Sequence, residues 1–363
     1  MKILYFIRAL NIGGAETFIY NTLSAIDDEY HIDFVLQSYR NNNERLLELC
    51  KKKNSALYYI TPFYKNYLKS VRELKIILKK ENYDIIHIHA NALINMVPII
   101  AARKIKVKIA LHSHNTKNNL GGVIGHNLHK LNRFYTNRLD ILRFACSEEA
   151  GKWMYGNNTF TILNNAIDIE AYKFDLVARR ELRESLGVKD KFVIGHVSRF
   201  VEAKNHNFLI EIFNEILKIN ANSELILIGE GELVNNIKDK CKELGIVDKV
   251  NFVGAVQNPA RYYSAFDCMI FPSLFEGLPF TLVEAQASGL PIFASNNITK
   301  EVNITGNINY IGLENSAKCW ANIIINYKKY ADRTQIYLKL KNSIFDEKVE
   351  VDKIQRCYKS YRK

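Results

Sequence analysis

Short, continuously apolar runs alternate with helically patterned segments along the chain. Ile3–Ile7, His31–Gln37, Ile85–His89, Val107–His112 and Phe144–Cys146 read as strands. Between them, apolar positions recur at helical spacing from Ala15 to about Ile26 and over Val71–Lys80. Strands without polar alternation are those covered on both faces, as in a parallel sheet between two layers of helices. The same grammar restarts in the second half. Phe192–Val197, Leu225–Ile228, Val250–Val253, Cys268–Phe271 and Pro291–Ala294 read as strands, with a helix from about Asn205 to Ile219. The charge-rich stretch Asp168–Asp190 reads as the connection. The expectation is an α/β chain of two Rossmann-like domains facing across a cleft, with ligand at the carboxyl ends of the strands.

Length agrees, since 363 residues exceed what one core usually organises. With 48% apolar and 24% charged residues the composition is that of a soluble globular protein. The apolar core of Met1–Arg8 is too short for a signal peptide. The longest nearly uncharged run, Ala90–Ala102, falls short of the roughly 20 residues that span a bilayer. Six cysteines are scattered without a Cys-x-x-Cys pair, which argues against structural zinc or disulfides and for a reducing, cytoplasmic location.

The net charge of +12 is uneven: residues 1–170 hold 23 basic and 15 acidic side chains, the remainder 27 and 23. Residues 100–145 carry nine basic groups against one acid, Asp140. Such a field favours an anionic partner, a phospholipid surface or a phosphorylated acceptor. No nucleic-acid-binding motif accompanies it, so nucleic acid is the least favoured partner. Within this basic region Ile124, Leu128, Leu131 and Tyr135 recur at helical spacing, with His126, His129, Lys130, Arg133 and Arg138 largely off the stripe. A basic amphipathic helix can lie on an anionic membrane. The commoner arrangement, expected here, is that the stripe packs on its own domain.

Candidate chemistry concentrates between Phe271 and Pro291. Gly277 and Pro279 break the chain after Glu276, and a helix is expected from Pro279–Thr281 to Gly289, with Glu284 inside it. The free amides at such a helix mouth suit a phosphate. Two carboxylates beside it suit the hydroxyls of a nucleotide sugar. Alternatively Thr281-x-x-Glu284 is a capping box and Glu276 an ordinary loop acid. Arg199 and Lys204 bracket the loop after the first strand of the second domain, where both can reach a diphosphate. Gly13-Gly14 forms a strand-to-helix corner that either admits a ligand to the backbone or serves tight packing. It is neither a dinucleotide fingerprint nor a Walker loop. His87-x-His89 and His112-x-His114 each sit at a strand end. No carboxylate or cysteine flanks them, so ordinary hydrogen bonding is preferred to a metal site.

Taken together, these motifs resemble retaining glycosyltransferases of family 4, with the GT-B fold, in their exopolysaccharide and capsule branch. The resemblance rests on Gly13-Gly-Ala-Glu16, His112-Ser-His-Asn-Thr116, Cys146-Ser-Glu-Glu-Ala150, Asn165-Ala-Ile-Asp168, Gly195-His-Val-Ser-Arg199 with Lys204-Asn205, Gly229-Glu-Gly231, Phe252-Val-Gly254 and Glu276-x7-Glu284. It implies an acceptor-binding domain over 1–170, a nucleotide-sugar-binding domain over 171–345, and a last helix over 346–363 crossing back. It implies that Arg199 and Lys204 hold the donor diphosphate without a metal or other cofactor. Glu284 would accept from ribose hydroxyls, and Glu276 would contact the donor sugar. The stretch Gly277, Leu278, Pro279 and Phe280 would lie on the phosphates, and Gly254 to Val256 along the base. His114 would meet the sugar near the reacting carbon, and Gly14 would give the donor close access. The implied reaction moves a sugar from a nucleoside-diphosphate sugar, a UDP-sugar first, to a saccharide acceptor that is lipid-linked at the inner membrane face. The rivals are a nucleotide-sugar epimerase of the same fold and a non-catalytic binding partner of another transferase. Asn164-Asn165-Ala166 departs from the family's commoner Pro-Asn-Gly.

Overall fold

The computed structural model describes every residue except 12, 40, 116–121, 257, 277, 329–331 and 363. The chain forms two compact units, Met1–Ala166 with Glu347–Lys363, and Ile167–Asp346.

The first unit is built on seven parallel strands: β1 (Lys2–Ile7), β2 (His31–Leu36), β3 (Leu57–Tyr59), β4 (Ile85–Ala90), β5 (Lys108–Ser113), β6 (Leu142–Ala145) and β7 (Thr161–Ile162). Their order is β3-β2-β1-β4-β5-β6-β7. Alternate residues of β1 feed two separate cores, because successive side chains of a strand point to opposite faces. Leu4 and Phe6 pack with Ile86, Ile88, Leu74 and Val97. Ile3, Tyr5 and Ile7 pack with Phe18, Ile19 and Leu23 of the Gly14–Ala25 helix. That second core also takes Val351, Ile354 and Tyr358 from the Glu347–Arg362 helix. Asn164 binds the Glu350 carboxylate through its backbone and side-chain nitrogens, both at 3.0 Å.

The second unit holds six parallel strands: β8 (Phe192–Val197), β9 (Ser223–Ile228), β10 (Val250–Gly254), β11 (Cys268–Phe271), β12 (Ile292–Ser295) and β13 (Ile308–Ile311). Their order is β10-β9-β8-β11-β12-β13. Both sheets therefore reverse direction beside their first strand, between β1 and β4 and between β8 and β11. Loops leaving the two strands at such a reversal diverge, and the space outside their carboxyl ends is where doubly wound sheets bind ligands.

The expected Rossmann-like halves are present, with three differences of detail. Strands β3, β7 and β13 were not foreseen. All lie at or beside a sheet edge, where a strand needs only a short apolar run. The stretch 168–190 is no mere connection. It contains the Leu176–Ser185 helix, whose Arg179 and Arg183 grip Asp267 and the carbonyls of Ala265 and Phe266. Finally, the apolar stripe of the Gly122–Thr136 helix faces outward, and Gly125, His129 and Thr136 form its buried side. The periodicity was read correctly but its packed side was not. Among the described residues no helix is long and apolar enough to cross a membrane.

The fully buried Tyr358 joins the last helix to the sheet, its hydroxyl 2.5 Å from His87 Nδ1 and 3.3 Å from Tyr5 Oη. Truncation to alanine (Tyr358→Ala) should cost about 3–5 kcal/mol in denaturant unfolding, the usual range for removing a buried ring. Tyr358→Phe should cost about 1–3 kcal/mol by orphaning buried polar groups.

Candidate functional site

In the second unit, the reversal between β8 and β11 brings together the residues singled out in the sequence. The loop after β8 carries Arg199 and then a short turn, Glu202–Lys204. Asn205 follows in the left-handed region at φ 55°, aiming the His206–Ile219 helix away from the sheet edge. The loop after β11 runs beside it. Leu274 N–H donates to Ala203 O at 2.8 Å, and Asn205 Nδ2 donates to Pro272 O at 3.2 Å. This lacing places Lys204 Nζ 2.5 Å from Glu276 Oε1, with the two side chains 18% and 11% exposed. Water screens so sheltered a pair little, so each charge feels the other strongly, while both lose hydration on burial. Arg199 is exposed and makes no salt bridge among the described residues.

Beneath this cationic loop lie two buried histidines. His196 bonds Ile270 O through Nδ1 and Ser198 Oγ through Nε2, at 2.8 and 2.7 Å. The His206 ring stacks on Phe200 with centroids 4.2 Å apart. Burial first, and the neighbouring Lys204 charge after it, push His196 down to about 4. Burial, His196 and Lys204 take His206 down to about 2. Both are neutral under the fixed positive charge.

The helix after Glu276 spans Phe280–Ala287, with Pro279 as its N-cap and no side-chain cap bond. Thr281 is thus already inside the helix, so the capping-box alternative for Glu284 does not hold. Instead Glu284 accepts hydroxyl hydrogen bonds from Tyr172 at 3.1 Å and from Tyr263 at 2.7 Å, one on each oxygen. The sequence reading missed both tyrosines. They lie 112 and 21 positions from Glu284, and nothing local marks them. Leu278 and Phe280 are half-buried against the unit's core. Pro279, grouped with them in sequence, has no N–H and serves as the buried cap. Gly277 lies outside the described residues. Gly254 ends β10 at φ +83° and its carbonyl accepts from Gly229 N–H at 2.9 Å; Val256 packs on the core beyond it. Gly229, at φ +135°, tolerates no side chain, since a Cβ would stand 1.9 Å from Ser198 O.

The first unit presents its own residues at the β1/β4 reversal. Gly13 is the extended N-cap, and Gly14 the first residue, of the Gly14–Ala25 helix. A Cβ on the exposed Gly14 would meet nothing nearer than Asn165 Nδ2 at 3.7 Å, so packing does not require the glycine there. At the ends of β4 and β5, four histidine rings stack. Centroids are 4.3 Å apart for His87–His89, 5.1 Å for His89–His114 and 4.1 Å for His112–His114. His89 Nδ1 lies 2.8 Å from Nε2 of the half-buried His114, which fixes that ring and leaves Nδ1 as its other nitrogen. Burial holds all four neutral, His114 at about 3. Ligand atoms of His87, His89 and His112 lie within 4.8 Å of one another. Ring lone pairs lie in the ring plane, so stacked rings would have to turn before all three could share an ion.

Known protein families match both units of the chain. The family described as glycosyl transferases group 1 matches residues 178–335, and glycosyltransferase family 4 matches residues 12–170. EpsF of Bacillus subtilis (strain 168), named as a glycosyltransferase, is 30% identical over 349 residues, covering 89% of this chain and 86% of that protein. An Escherichia coli protein named UDP-Gal:alpha-D-GlcNAc-diphosphoundecaprenol alpha-1,3-galactosyltransferase is 29% identical over 241 residues, 63% of this chain and 62% of its own. The crystal structure of Anabaena Alr3699/HepE in complex with UDP superposes with a TM-score of 0.76 at 20% identity, over 99% of this chain and 100% of that one. HepE has also been crystallised with UDP-glucose.

The neutral histidines make stability depend on pH in one direction. Unfolded, each protonates near 6.5; folded, His196 does so only near 4 and His114 near 3. Above pH 6.5 neither state binds these protons and they add nothing. As pH falls below 6.5 only the unfolded state takes them up, so stability declines towards pH 4. Thermal midpoints should be nearly level from pH 8 to 7 and drop steadily below 6. A midpoint that rises on acidification would contradict the buried neutral assignment.

Proposed function

The chain belongs to the glycosyltransferases of group 1 and family 4, and on that premise we propose that it moves a sugar from a UDP-sugar to a lipid-linked saccharide, with retention of anomeric configuration and without a metal. In this reading it works in the cytoplasm, in peripheral contact with the anionic inner membrane face, in exopolysaccharide or capsule synthesis. The observation that carries the proposal is the convergence of Arg199, Lys204, Glu276, Glu284 and an uncapped helix mouth at one sheet reversal. A diphosphate needs positive charge and N–H donors, and a sugar and a ribose need acceptors. The second unit offers all of them within two loops and one helix.

As the glycosidic bond breaks, negative charge builds on the departing diphosphate. Arg199, Lys204 and the amides at the Phe280 helix start are the groups to stabilise it, a fixed electrostatic field in place of a cation. Glu284 accepts the ribose hydroxyls. Its carboxylate is held in place by the Tyr172 and Tyr263 hydroxyls, one on each oxygen. Glu276 passes from Lys204 to the hydroxyls of the donor sugar when the diphosphate draws the ammonium away. In the first unit, the family motifs assign the neutral ring of His114 and the unobstructed helix start at Gly14 to the donor as well. HepE bound to UDP and UDP-glucose supports the choice of base, and the undecaprenol-linked acceptor in the name of the E. coli relative supports the choice of acceptor.

Two measurements test this. UDP should raise the melting midpoint with or without a chelator, by the equivalent of about 2.7 kcal/mol at a hundred times its Kd. GDP or ADP acting in its place would reassign the base, and no response to any would defeat the proposal. Lys204→Ala and Glu284→Ala should each lower transfer at least about a hundredfold, comparable to losing one oxyanion donor, while remaining folded. Full turnover in either variant would remove that residue from the site. Sugar interconversion without any acceptor would favour the epimerase.

A further inference from the structure

We propose that Arg333 is a positioning residue for nucleoside recognition: acting through Tyr263 and Tyr172, it holds the Glu284 carboxylate in one orientation and so makes binding select for ribose hydroxyls. This deepens the proposed function and rests on its reading of Glu284 as the acceptor for the ribose.

Three segments of the second unit meet at Glu284. It lies inside the Phe280–Ala287 helix, Tyr263 lies inside the Ala260–Ala265 helix, and Tyr172 precedes the Leu176–Ser185 helix. Two hydroxyls on one carboxylate do not by themselves fix how two helices and a loop are set against one another. That setting is made about one turn away, at the carboxyl ends of both helices.

There Arg333 spans the two. Its Nη2 donates to Tyr263 O and its Nη1 to Phe266 O, each at 2.8 Å. Its Nε donates to Ser288 O and its Nη2 to Ser288 Oγ, each at 2.9 Å. Carbonyls in the last turn of a helix lack partners within it, and a planar guanidinium can serve several at once. The backbone is fitted as closely as the side chain. Gly289, next to the Ser288 cap, has φ +63°, and a Cβ there would stand 2.8 Å from both Cα and O of Arg333. The third segment joins through Phe174, whose ring centroid lies 4.3 Å from the guanidinium carbon. It joins again through Asp175 N–H, which donates to Ser264 Oγ at 3.1 Å. Tyr172 lies two residues before Phe174, and Tyr263 one before Ser264. Each hydroxyl that reaches Glu284 therefore comes from a segment fastened at this junction.

Arg333 carries its charge at a cost. Burial foremost, and Arg179 after it, draw its pKa down to about 9. The neighbouring carboxylate, Asp267, is bonded by Arg179 and Arg183 instead. An apolar side chain would fill the junction without that cost but could not fix the helix ends by direction. At the other end Tyr263 is fully buried, and burial, then the Glu284 charge, keep its hydroxyl protonated and donating at 2.7 Å. Fixed direction is what selects a hydroxyl. A site built to bond one leaves its acceptor unpaired when the hydroxyl is missing, whereas a carboxylate free to swing finds water.

Titration calorimetry of the full chain with UDP, 2′-deoxy-UDP and 3′-deoxy-UDP tests this. Wild-type protein should bind UDP at least about tenfold tighter than one of the deoxy analogues, as expected for a hydrogen bond to a charged group. Glu284→Ala should bring that ratio to about one. Tyr263→Phe removes a single buried hydroxyl, and Arg333→Lys keeps the charge but not the fork. Each should shrink the ratio to about threefold or less, by weakening UDP while the analogue's Kd stays nearly unchanged. Ser288→Ala, a milder loss at the same junction, takes the place of Arg333→Lys if that variant does not fold. A residue that only stabilises the fold would lower the melting midpoint and leave the ratio where it was. The proposal falls if the folded variants keep the wild-type ratio, or if UDP and analogue weaken in parallel. With Glu284→Ala still abolishing selectivity, the ribose assignment survives either result. Wild-type protein that binds UDP and its deoxy analogues equally, or binds none of them, defeats the proposal and the Glu284 assignment together.

Discussion

A parallel sheet cannot close its hydrogen bonding with tight hairpins. Each strand must be carried back by a crossover, and crossovers keep one hand. A chain that starts in the middle of such a sheet and builds first one side, then the other, must reverse once. In both units the first strand sits beside the fourth, so the loops at their carboxyl ends have no crossover between them to fill the space. Of the residues proposed for function, Gly14 in the first unit and Arg199, Lys204 and Glu276 in the second follow strands at that reversal, while His114 follows β5, one strand further along. The site is a consequence of topology before it is one of chemistry.

Electrostatics then divides the labour. Positive charge in the second unit stands on a bed of uncharged imidazoles, His196 and His206, which burial keeps neutral. Protonating either would place like charge under Lys204. The carboxylates are oriented differently from each other. Glu276 is held by an ammonium that a stronger anion can attract away, whereas Glu284 is fixed by two phenol hydroxyls. One acceptor is therefore held by a charge and the other by neutral hydroxyls, and in the proposed reaction they would serve the sugar and the nucleoside respectively.

Much of this was legible in the sequence, for identifiable reasons. Central strands such as Ile3–Ile7 and Cys268–Phe271 are buried on both faces and so carry unbroken apolar runs. The loop before Glu284 is punctuated by Gly277 and Pro279, residues whose backbone preferences act locally. What escaped was long-range. Tyr172 and Tyr263 meet Glu284 only because three separate segments fold together. Periodicity likewise reveals that the Gly122–Thr136 helix has two sides but not which one is packed. A second stripe, Gly125, His129, Asn132 and Thr136, recurs at the same spacing, and its small and amide side chains were the available sign that the polar side could be the seated one.

The return of the Glu347–Arg362 helix to the first unit has a temporal consequence. Tyr358, Ile354 and Val351 belong to the core that Ile3 and Tyr5 begin, yet the ribosome must produce the whole of Ile167–Asp346 between them. At about 5–20 residues per second that interval of 180 residues lasts roughly ten to forty seconds. Throughout it, the second unit can complete itself while one face of the first lacks its covering helix. The unit that emerges first is the last to be finished, and its uncovered core, rather than the later domain, sets the period in which a nascent chain most needs shelter from aggregation.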